Sequence, residues 1–588
     1  MGTEFRLDGR DVRIAVVVGA AALLVYLPAL TTWFLADDFG ILTLVRQAGG
    51  LSHPLDYFQV RFYDQYYRPL GLLTHAFDWT LWGQNAAAFH ATNIILHAVS
   101  TMLVFVLGRR FMDAAGAATA ALLFGLHPAN HEAVFWIAAR FDLLATLFAL
   151  LALVCLFRDD GRSYVMGVAC FGLALLSKES ALALPMISAS YDVFARRRTW
   201  QATLRRLAPL LALLAGYALL RAESAGLSPI GSSNRFAKLV MFAAALGAIV
   251  WTAWRSQSRA GAASGLRVSR ATAFTSGISL AIVAAGGVTW PATHHRAAEL
   301  LGFIGYAVFY LVSPVVLPAP PAYYLDPATA VYWVGGLAAA VAVLVSLLLA
   351  ARWLFSHSSG MFFSAFAVAA LLPVSSMTGG TRYLYLASAG TSLLASYVWR
   401  SAAPIWRARG TAAIALVLAL SVSQLLLAAR EWRWASNMTR EGLALVAQDM
   451  TPCGTKDVIL LTMPVEGRGV LTNLPNEALA ATGQCAAKSF VALLRVDRED
   501  ATVEVTRRAS NVIELRVPRY AGNIEASRDL RTFDVPLRAV RVAQLDTGLG
   551  RLETFPDGDA QMFRLQLTPA ASTAMFYYYS DGRLHALR

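Results

Sequence analysis

From residue 14 to residue 31 the chain reads as one apolar run, close to the roughly 20 residues that a helix needs to cross a bilayer core. Runs of this kind recur at 89–107, 117–126 and 142–157 and further on, with short polar turns between them. This recurrence constrains the fold more than any other feature. Backbone at membrane depth has no water to bond to, so each run must satisfy its own N–H and C=O groups as a helix. The composition, 57% hydrophobic and 15% charged, excludes an ordinary soluble domain. The expected fold class is a polytopic α-helical membrane protein. The net charge of +13 would direct attention to nucleic acid in a soluble chain. Here much of the excess lies in short loops and marks the cytoplasmic side, so no nucleic acid partner is called for.

Arginines set the topology. Arg6, Arg10 and Arg13 place the N-terminus inside, and Arg109-Arg110, the turn 158–162 and the group Arg196, Arg197, Arg198, Arg205 and Arg206 mark further cytoplasmic turns. The fifth, sixth and seventh spans end near Ser177, Phe194 and Arg221. Runs at 237–254 and 272–290 read as a hairpin around Arg255, Arg259, Arg267 and Arg270. Parity counted back from Arg400, Arg407 and Arg409 makes 300–316 a re-entrant or interfacial segment. The expectation is about thirteen spans, the last ending near Ala429. The first run is too long for a cleavable signal peptide. Residues 1–429 are read as a transmembrane module with an external loop of about 32–85, and 430–588 as an external soluble domain. In that tail 458–461, 490–494, 503–505, 512–517 and 563–567 alternate like short strands, and 476–482 suits one short helix, so the tail is β-rich or α/β. Cys453 and Cys485 lie there, where a disulfide is permitted, whereas Cys155 and Cys170 lie in apolar runs and serve as small hydrophobes.

The external loop opens on Thr32-Trp33-Phe34-Leu35-Ala36-Asp37-Asp38-Phe39. Repulsion between adjacent acids should raise the pKa of one of them, which suits a proton acceptor; a solvated helix end is the plainer alternative. The middle of the loop, 69–82, is amphipathic and suited to lie along the interface. On this topology the external ends also hold Arg68, His90, Asn93, His127, His131, Glu132, Arg140, Asp142, Lys178, Glu179 and Arg382, while span interiors hold almost no charge. A transporter or flippase places ionisable groups near the midplane, so the pattern favours an externally facing active site. His90, Asn93 and His97 share one helical face, either as site residues or as a polar stripe between helices. His127, His131 and Glu132 could ligate a divalent cation, although their spacing matches no established metal motif. Arg140, Lys178 and Arg382 could hold an anionic phosphate, or simply pair with Asp142 or Glu179.

Taken in order, Asp37-Asp38, Tyr67-Arg68-Pro69-Leu70, Phe89-His90 through Asn93 to His97, and Leu126-His127-Pro128 form a series. Glu132-Ala133-Val134, Arg140-Phe141-Asp142, Ser177-Lys178-Glu179, Tyr191-Asp192 and Arg382-Tyr383-Leu384-Tyr385 continue it. The series resembles the membrane module of the transmembrane-and-TPR-containing protein O-mannosyltransferases, within the C-type glycosyltransferase superfamily, over roughly 14–191 and 300–394. The resemblance implies a polyprenyl-phosphate-linked sugar donor and an acidic pair, here Asp37-Asp38, that activates an acceptor hydroxyl of a protein or glycan. The chain departs from the family in three ways: no TPR repeats, Asn130 where the family has histidine, and the hairpin at 237–290. The expected reaction is a single inverting displacement, with either acid as base and a lipid phosphate leaving. Arg382, Lys178, Arg140 and Arg68 are the candidate phosphate ligands, in that order. His90, Asn93, His127, His131, Glu132, Asp142, Glu179 and Tyr383 are candidate substrate contacts. The expected location is a bacterial inner membrane, with site and tail on the periplasmic side. A tail that only recognises a glycan above a membrane anchor would not need so many spans.

Overall fold

The computed structural model describes residues 7–58, 66–224, 357–374 and 380–448, and in the tail 457–464, 466–467, 470–471, 479, 489–496, 502–518, 522–528, 531–536, 543–547, 550–569, 571–581 and 583–587. The expected hairpin at 237–290, the segment 300–316, Cys453, Cys485 and nearly all of the expected helix at 476–482 lie outside these residues, so the count of about thirteen spans is not established.

Helix α1 (Gly9–Tyr26) is capped by Asp8, whose carboxylate accepts the Asp11 N–H at 2.7 Å, and continues as a 3-10 turn to Thr31. Next come α2 (Asp37–Gln47), α3 (Pro69–Trp82), α4 (Ala86–Gly108), α5 (Ala114–Gly125), the short α6 (His131–Phe135) and α7 (Arg140–Leu156). These are followed by α8 (Gly161–Ser177), α9 (Leu184–Ser190), α10 (Trp200–Ser224), α11 (Ser358–Leu371), α12 (Tyr385–Ser401) and α13 (Pro404–Gln448). Among the described residues four helical stretches are long and apolar enough to cross a bilayer: Gly9–Thr31, Ala86–Gly108, Ile137–Leu156 and Pro404–Gln448. Their outer faces suit lipid rather than water: Val17 is 64% exposed and Leu416 61%. The expected sixth span is not one uniform helix. It runs through a 3-10 segment (Glu179–Ala183), α9 and a π-helical end (Tyr191–Ala195).

Helix α4 packs against α1, α5 and α7. His97 serves as the polar stripe in that packing: Nδ1 meets the Tyr385 hydroxyl at 2.6 Å and Nε2 meets the Gly125 carbonyl at 2.9 Å. Helices α11 and α12 close to a distance that only glycine allows, since a Cβ on Gly390 would lie 2.9 Å from the Ala367 nitrogen. At one end of the bundle arginines pair with acids: Arg109 with Asp11 at 2.7 Å, Arg198 with Asp159 at 2.7 Å, and Arg400 with Asp113.

Helix α13 continues past Ala429, where the last span is expected to end. Beyond it Trp432, Ala435, Met438, Leu443 and Val446 keep one face buried at helical spacing, so the helix continues packed against protein. The tail carries thirteen described strands: β1 (Asp457–Pro464), β2 (Glu466–Gly467), β3 (Val470–Leu471), β4 (Ser489–Val496), β5 (Glu504–Ala509), β6 (Val512–Pro518), β7 (Gly522–Arg528), β8 (Arg531–Pro536), β9 (Ala543–Thr547), β10 (Gly550–Asp557), β11 (Ala560–Leu567), β12 (Met575–Ser580) and β13 (Arg583–Leu587). One sheet runs β13-β12-β1-β4-β7-β8, with β1 parallel to both β12 and β4; a second, β5-β6-β11-β10-β9, is antiparallel, and β2 and β3 pair as a small hairpin. Strand β1 is buried on both faces, as an uninterrupted Val-Ile-Leu-Leu run in a parallel sheet should be. Ile459 and Leu461 join Ile513, Leu515, Phe563 and Leu565 between the sheets. Val458 and Leu460, together with Tyr577 of β12, point the other way. They form one apolar cluster with Phe34, Phe39 and Leu42 of the acid-bearing loop and with Leu443 and Val446 of α13.

Adjacent residues therefore serve different interfaces. Leu460→Ala and Leu461→Ala should each cost about 2–5 kcal/mol. Hydrogen exchange separates them: Leu460→Ala should open the backbone around Phe34–Leu42, and Leu461→Ala should open β6 and β11. The same exchange pattern from both would contradict the two-faced packing.

Candidate functional site

After Thr31 the chain turns sharply at Ala36, whose φ of +47° and ψ of −117° are unusual for a residue with a Cβ. This turn puts Asp37 and Asp38 in the first turn of α2, where the N-terminal dipole favours acidic side chains. The two acids then diverge. Asp37 stays half-buried, whereas Asp38 is fully buried and bridges two segments. Its Oδ2 accepts the Leu35 N–H at 2.8 Å and its Oδ1 accepts the Ala138 N–H at 2.7 Å. Burial pushes the Asp38 carboxyl up to about 8; the two N–H groups oppose that shift and the Asp37 charge adds to it. One acid of the pair is thus raised, but mainly by loss of water rather than by repulsion from its neighbour.

Three cations lie at this same end, each matched by one carboxylate. Arg382 pairs with Glu132, whose Oε2 also accepts the Arg382 N–H at 3.0 Å and the Thr381 hydroxyl at 3.3 Å. Burial works against ionisation of Glu132, but Arg382 outweighs it and holds the carboxyl below its usual range. The Arg382 guanidinium lies 4.7 Å from the Trp136 ring centre and 4.5 Å from that of Tyr383. Gly380, at φ +105°, makes this possible: a Cβ there would lie 2.6 Å from Arg382 Nη1. Lys178 Nζ meets Asp142 at 2.5 Å and sits 4.7 Å from the Tyr383 ring centre. Arg68 pairs with Glu179 at 2.8 Å under the Tyr66 ring. Burial lowers Lys178 to about 8 against the pull of Asp142, with the Arg68 and Arg382 charges lowering it further. Arg382 is the most exposed of the three, its side chain 17% accessible against 9% for Arg68 and 3% for Lys178.

Arg140 was expected at the phosphate and is instead wholly enclosed. Its guanidinium meets Asp78 at 2.6 Å, Asn93 Oδ1 at 2.8 Å, the Phe89 carbonyl at 2.9 Å and the Thr74 carbonyl at 3.2 Å. Asn93 donates onward to the Trp136 carbonyl at 3.0 Å. This network ties α3, α4 and α7 together and leaves neither Arg140 nor Asn93 facing a substrate. His90 is likewise buried, against the backbone of Thr32 and Trp33. His127 Nδ1 accepts the Ala129 N–H at 3.1 Å, and His131 Nδ1 accepts the Trp432 indole N–H of α13 at 3.1 Å. With Glu132 committed to Arg382, these three do not fit a divalent cation. Among the described residues no group of three or more His, Cys, Asp and Glu could hold one. Asn130, where the resemblance expects histidine, donates to the Phe124 carbonyl at 2.8 Å.

The structure thus gathers Asp37, Asp38, Arg382, Glu132, Tyr383, Lys178, Asp142, Arg68 and Glu179 at one end of the bundle. Sequence reasoning passed over Trp136, which stands between the acids and Arg382; its place between Glu132 and Arg140 in the motif series was the available signal.

No family model matches the chain. It is similar to the protein O-mannosyl-transferase TMTC2 of Mus musculus, 34% identical over 142 residues, which is 22% of this chain and 17% of that protein. It is similar also to TMTC1 of Homo sapiens, 36% over 144 residues, covering 22% and 16%, and to Tmtc1 of Drosophila melanogaster, 28% over 202 residues, covering 32% and 23%. The matched stretch therefore spans less than a quarter of each of these relatives. Among solved structures, the chain aligns with the apo oligosaccharyltransferase of Archaeoglobus fulgidus at TM-score 0.43 and 14% identity, over 76% of this chain and 62% of that one. With ArnT from Cupriavidus metallidurans bound to undecaprenyl phosphate the values are 0.31 and 16%, over 79% and 84%.

Removing Arg140 leaves Asp78 buried without its cation. Arg140→Met should destabilise the bundle by about 3–5 kcal/mol, read as loss of thermal stability in detergent. Arg382→Ala, at a more exposed pair, should cost no more than about 1–2 kcal/mol. Equal losses would place Arg140 in the same setting as Arg382.

Proposed function

We propose that this chain is an integral-membrane glycosyltransferase of the C-type fold that moves a sugar, mannose by its likeness to named O-mannosyl-transferases, from a polyprenyl-phosphate carrier to an acceptor hydroxyl of a protein or glycan. One observation carries the reading: an acidic pair and three carboxylate-matched cations meet at one end of an apolar bundle, opposite the arginine-rich turns. In a bacterial inner membrane that end is the periplasmic one, and there the tail's sheet packs beside the loop that bears the acids.

In the proposed step Asp37 is the base. It is the acid with solvent access, whereas Asp38 spends both oxygens on backbone N–H groups. Burial near a pKa of 8 keeps Asp38 mostly protonated at neutral pH, so it frames the loop without repelling the charge on Asp37. The acceptor oxygen gives its proton to Asp37 and bonds to the anomeric carbon. The bond from that carbon to the phosphate oxygen breaks, and its electron pair leaves with the polyprenyl phosphate. Attack from the opposite face inverts the carbon. Arg382, the most exposed cation, meets the growing phosphate charge, with Lys178 and Arg68 behind it.

Purified protein given polyprenyl-phosphate-linked mannose and acceptor should release polyprenyl phosphate, detected by mass spectrometry. No release with any sugar carried on that lipid would sink the reading. Asp37→Asn should lower turnover by about 100- to 10,000-fold with the fold intact. Asp38→Asn should chiefly lower thermal stability, because an amide cannot accept both N–H groups. A larger turnover loss from Asp38→Asn at unchanged stability would reverse the assignment. Lys178 loses its proton as pH rises through about 8, so donor KM should climb above that pH. In Lys178→Arg the climb should move to higher pH or vanish, because arginine keeps its charge.

A further inference from the structure

Trp136 is buried and caps the C-terminal end of α6. Three parts of one residue reach three different neighbours. The indole Nε1–H donates to the Leu35 carbonyl, at 3.3 Å, in the loop that carries the acids. The ring lies 4.7 Å from the Arg382 guanidinium centre. The backbone carbonyl accepts from Asn93 Nδ2 at 3.0 Å, and Asn93 in turn accepts from Arg140 at 2.8 Å. Two residues on, the Ala138 N–H holds Asp38 at 2.7 Å. The segment 136–138 therefore grips the acid loop at two points, Leu35 and Asp38, and is itself anchored through Asn93 to the most buried ion pair of the bundle.

We propose that Trp136 is a positioning residue that couples the acid loop to the Arg382 cation, fixing the separation between base and phosphate; this rests on the transferase reading above. The reaction needs the acceptor oxygen held at one carboxylate while the leaving phosphate is held at one guanidinium. Misplacement by an ångström between two such groups is enough to lower turnover strongly. Tryptophan suits the task because its ring face attracts a guanidinium while its edge offers one N–H donor. Phenylalanine keeps only the face, and leucine keeps neither. The two functions are thereby separable. Losing the N–H releases the acid loop and acts on the chemical step. Losing the ring releases Arg382 and acts on donor binding as well.

The test uses the full chain in detergent or nanodiscs, with polyprenyl-phosphate-linked mannose as donor. Trp136→Phe should lower kcat by roughly tenfold and leave donor KM within about twofold of the parental value. Trp136→Leu should lower kcat and also raise donor KM by about fivefold or more. If Trp136→Phe does not accumulate as folded protein, benzothienylalanine placed at 136 tests the same point, because sulfur replaces the indole N–H at nearly unchanged shape; it should reproduce the loss of kcat. Parental kcat in Trp136→Phe or in the isostere would overturn the coupling. So would a proportional change of kcat and donor KM in both the Phe and Leu variants, which is what loosened packing alone would give. A parental protein that releases no polyprenyl phosphate would overturn the transferase reading and the coupling with it, whereas an active parent with an indifferent Trp136→Phe overturns the coupling alone.

Discussion

A cation removed from water must find a carboxylate at contact distance, and the end of this bundle that bears the acidic pair is organised by that requirement. Arg140 with Asp78, Lys178 with Asp142, Arg68 with Glu179 and Arg382 with Glu132 are four answers to one problem. Each pair joins segments far apart in the chain, so the same contacts that neutralise charge also fix the order in which helices meet. The cost of breaking such a pair exceeds the gain of having made it, which makes them determinants of specificity more than sources of stability.

The pairs differ in depth, and depth separates framework from surface. Arg140 has no accessible side-chain area and is spent on α3 and α4. Arg382 keeps a face toward solvent and stacks between two aromatic rings. The two acids of the loop divide in the same manner. Asp38 is an internal bracket between Leu35 and Ala138, and Asp37 stands half-open beside it. Strain at Ala36 is compatible with this arrangement because both flanking segments are held, by Asp38 on one side and by Phe34 and Phe39 in the apolar cluster on the other.

Much of this was legible in the chain. The bounds expected for the interfacial segment, 69–82, coincide with α3, because proline opens it and Gly83, at φ +57°, closes it. The strands 458–461, 490–494, 512–517 and 563–567 were readable from their apolar runs and alternation, and Ile459, Leu461, Ile513, Leu515, Phe563 and Leu565 of three of them share one core. Strands β7 and β8 were not: their sequences, GNIEASR and RTFDVP, carry charge and little apolar periodicity, and β8 lies at a sheet edge. The continuation of α13 past the expected end of the last span was not legible, because Arg430, Glu431 and Arg433 look like a membrane exit while one face stays apolar through Val446. The roles of Arg140 and Arg382 could not be told apart from residue type. Both are arginines at helix starts, and only the surroundings supplied by elements distant in the chain decide which is interior.

Helix α13 spans 45 residues without a break, about 67 Å at the usual rise, and its last turns press Leu443 and Val446 into the same cluster that receives the sheet. Each added residue would rotate everything beyond it by about 100° and turn that contact outward. Steps close to whole turns, such as about seven or eleven residues, restore the facing, and these would lift what lies beyond by about 10 or 16 Å. The length of α13 is thus set in whole turns by the contact at its end, and intermediate lengths would carry Leu443 and Val446 away from the sheet.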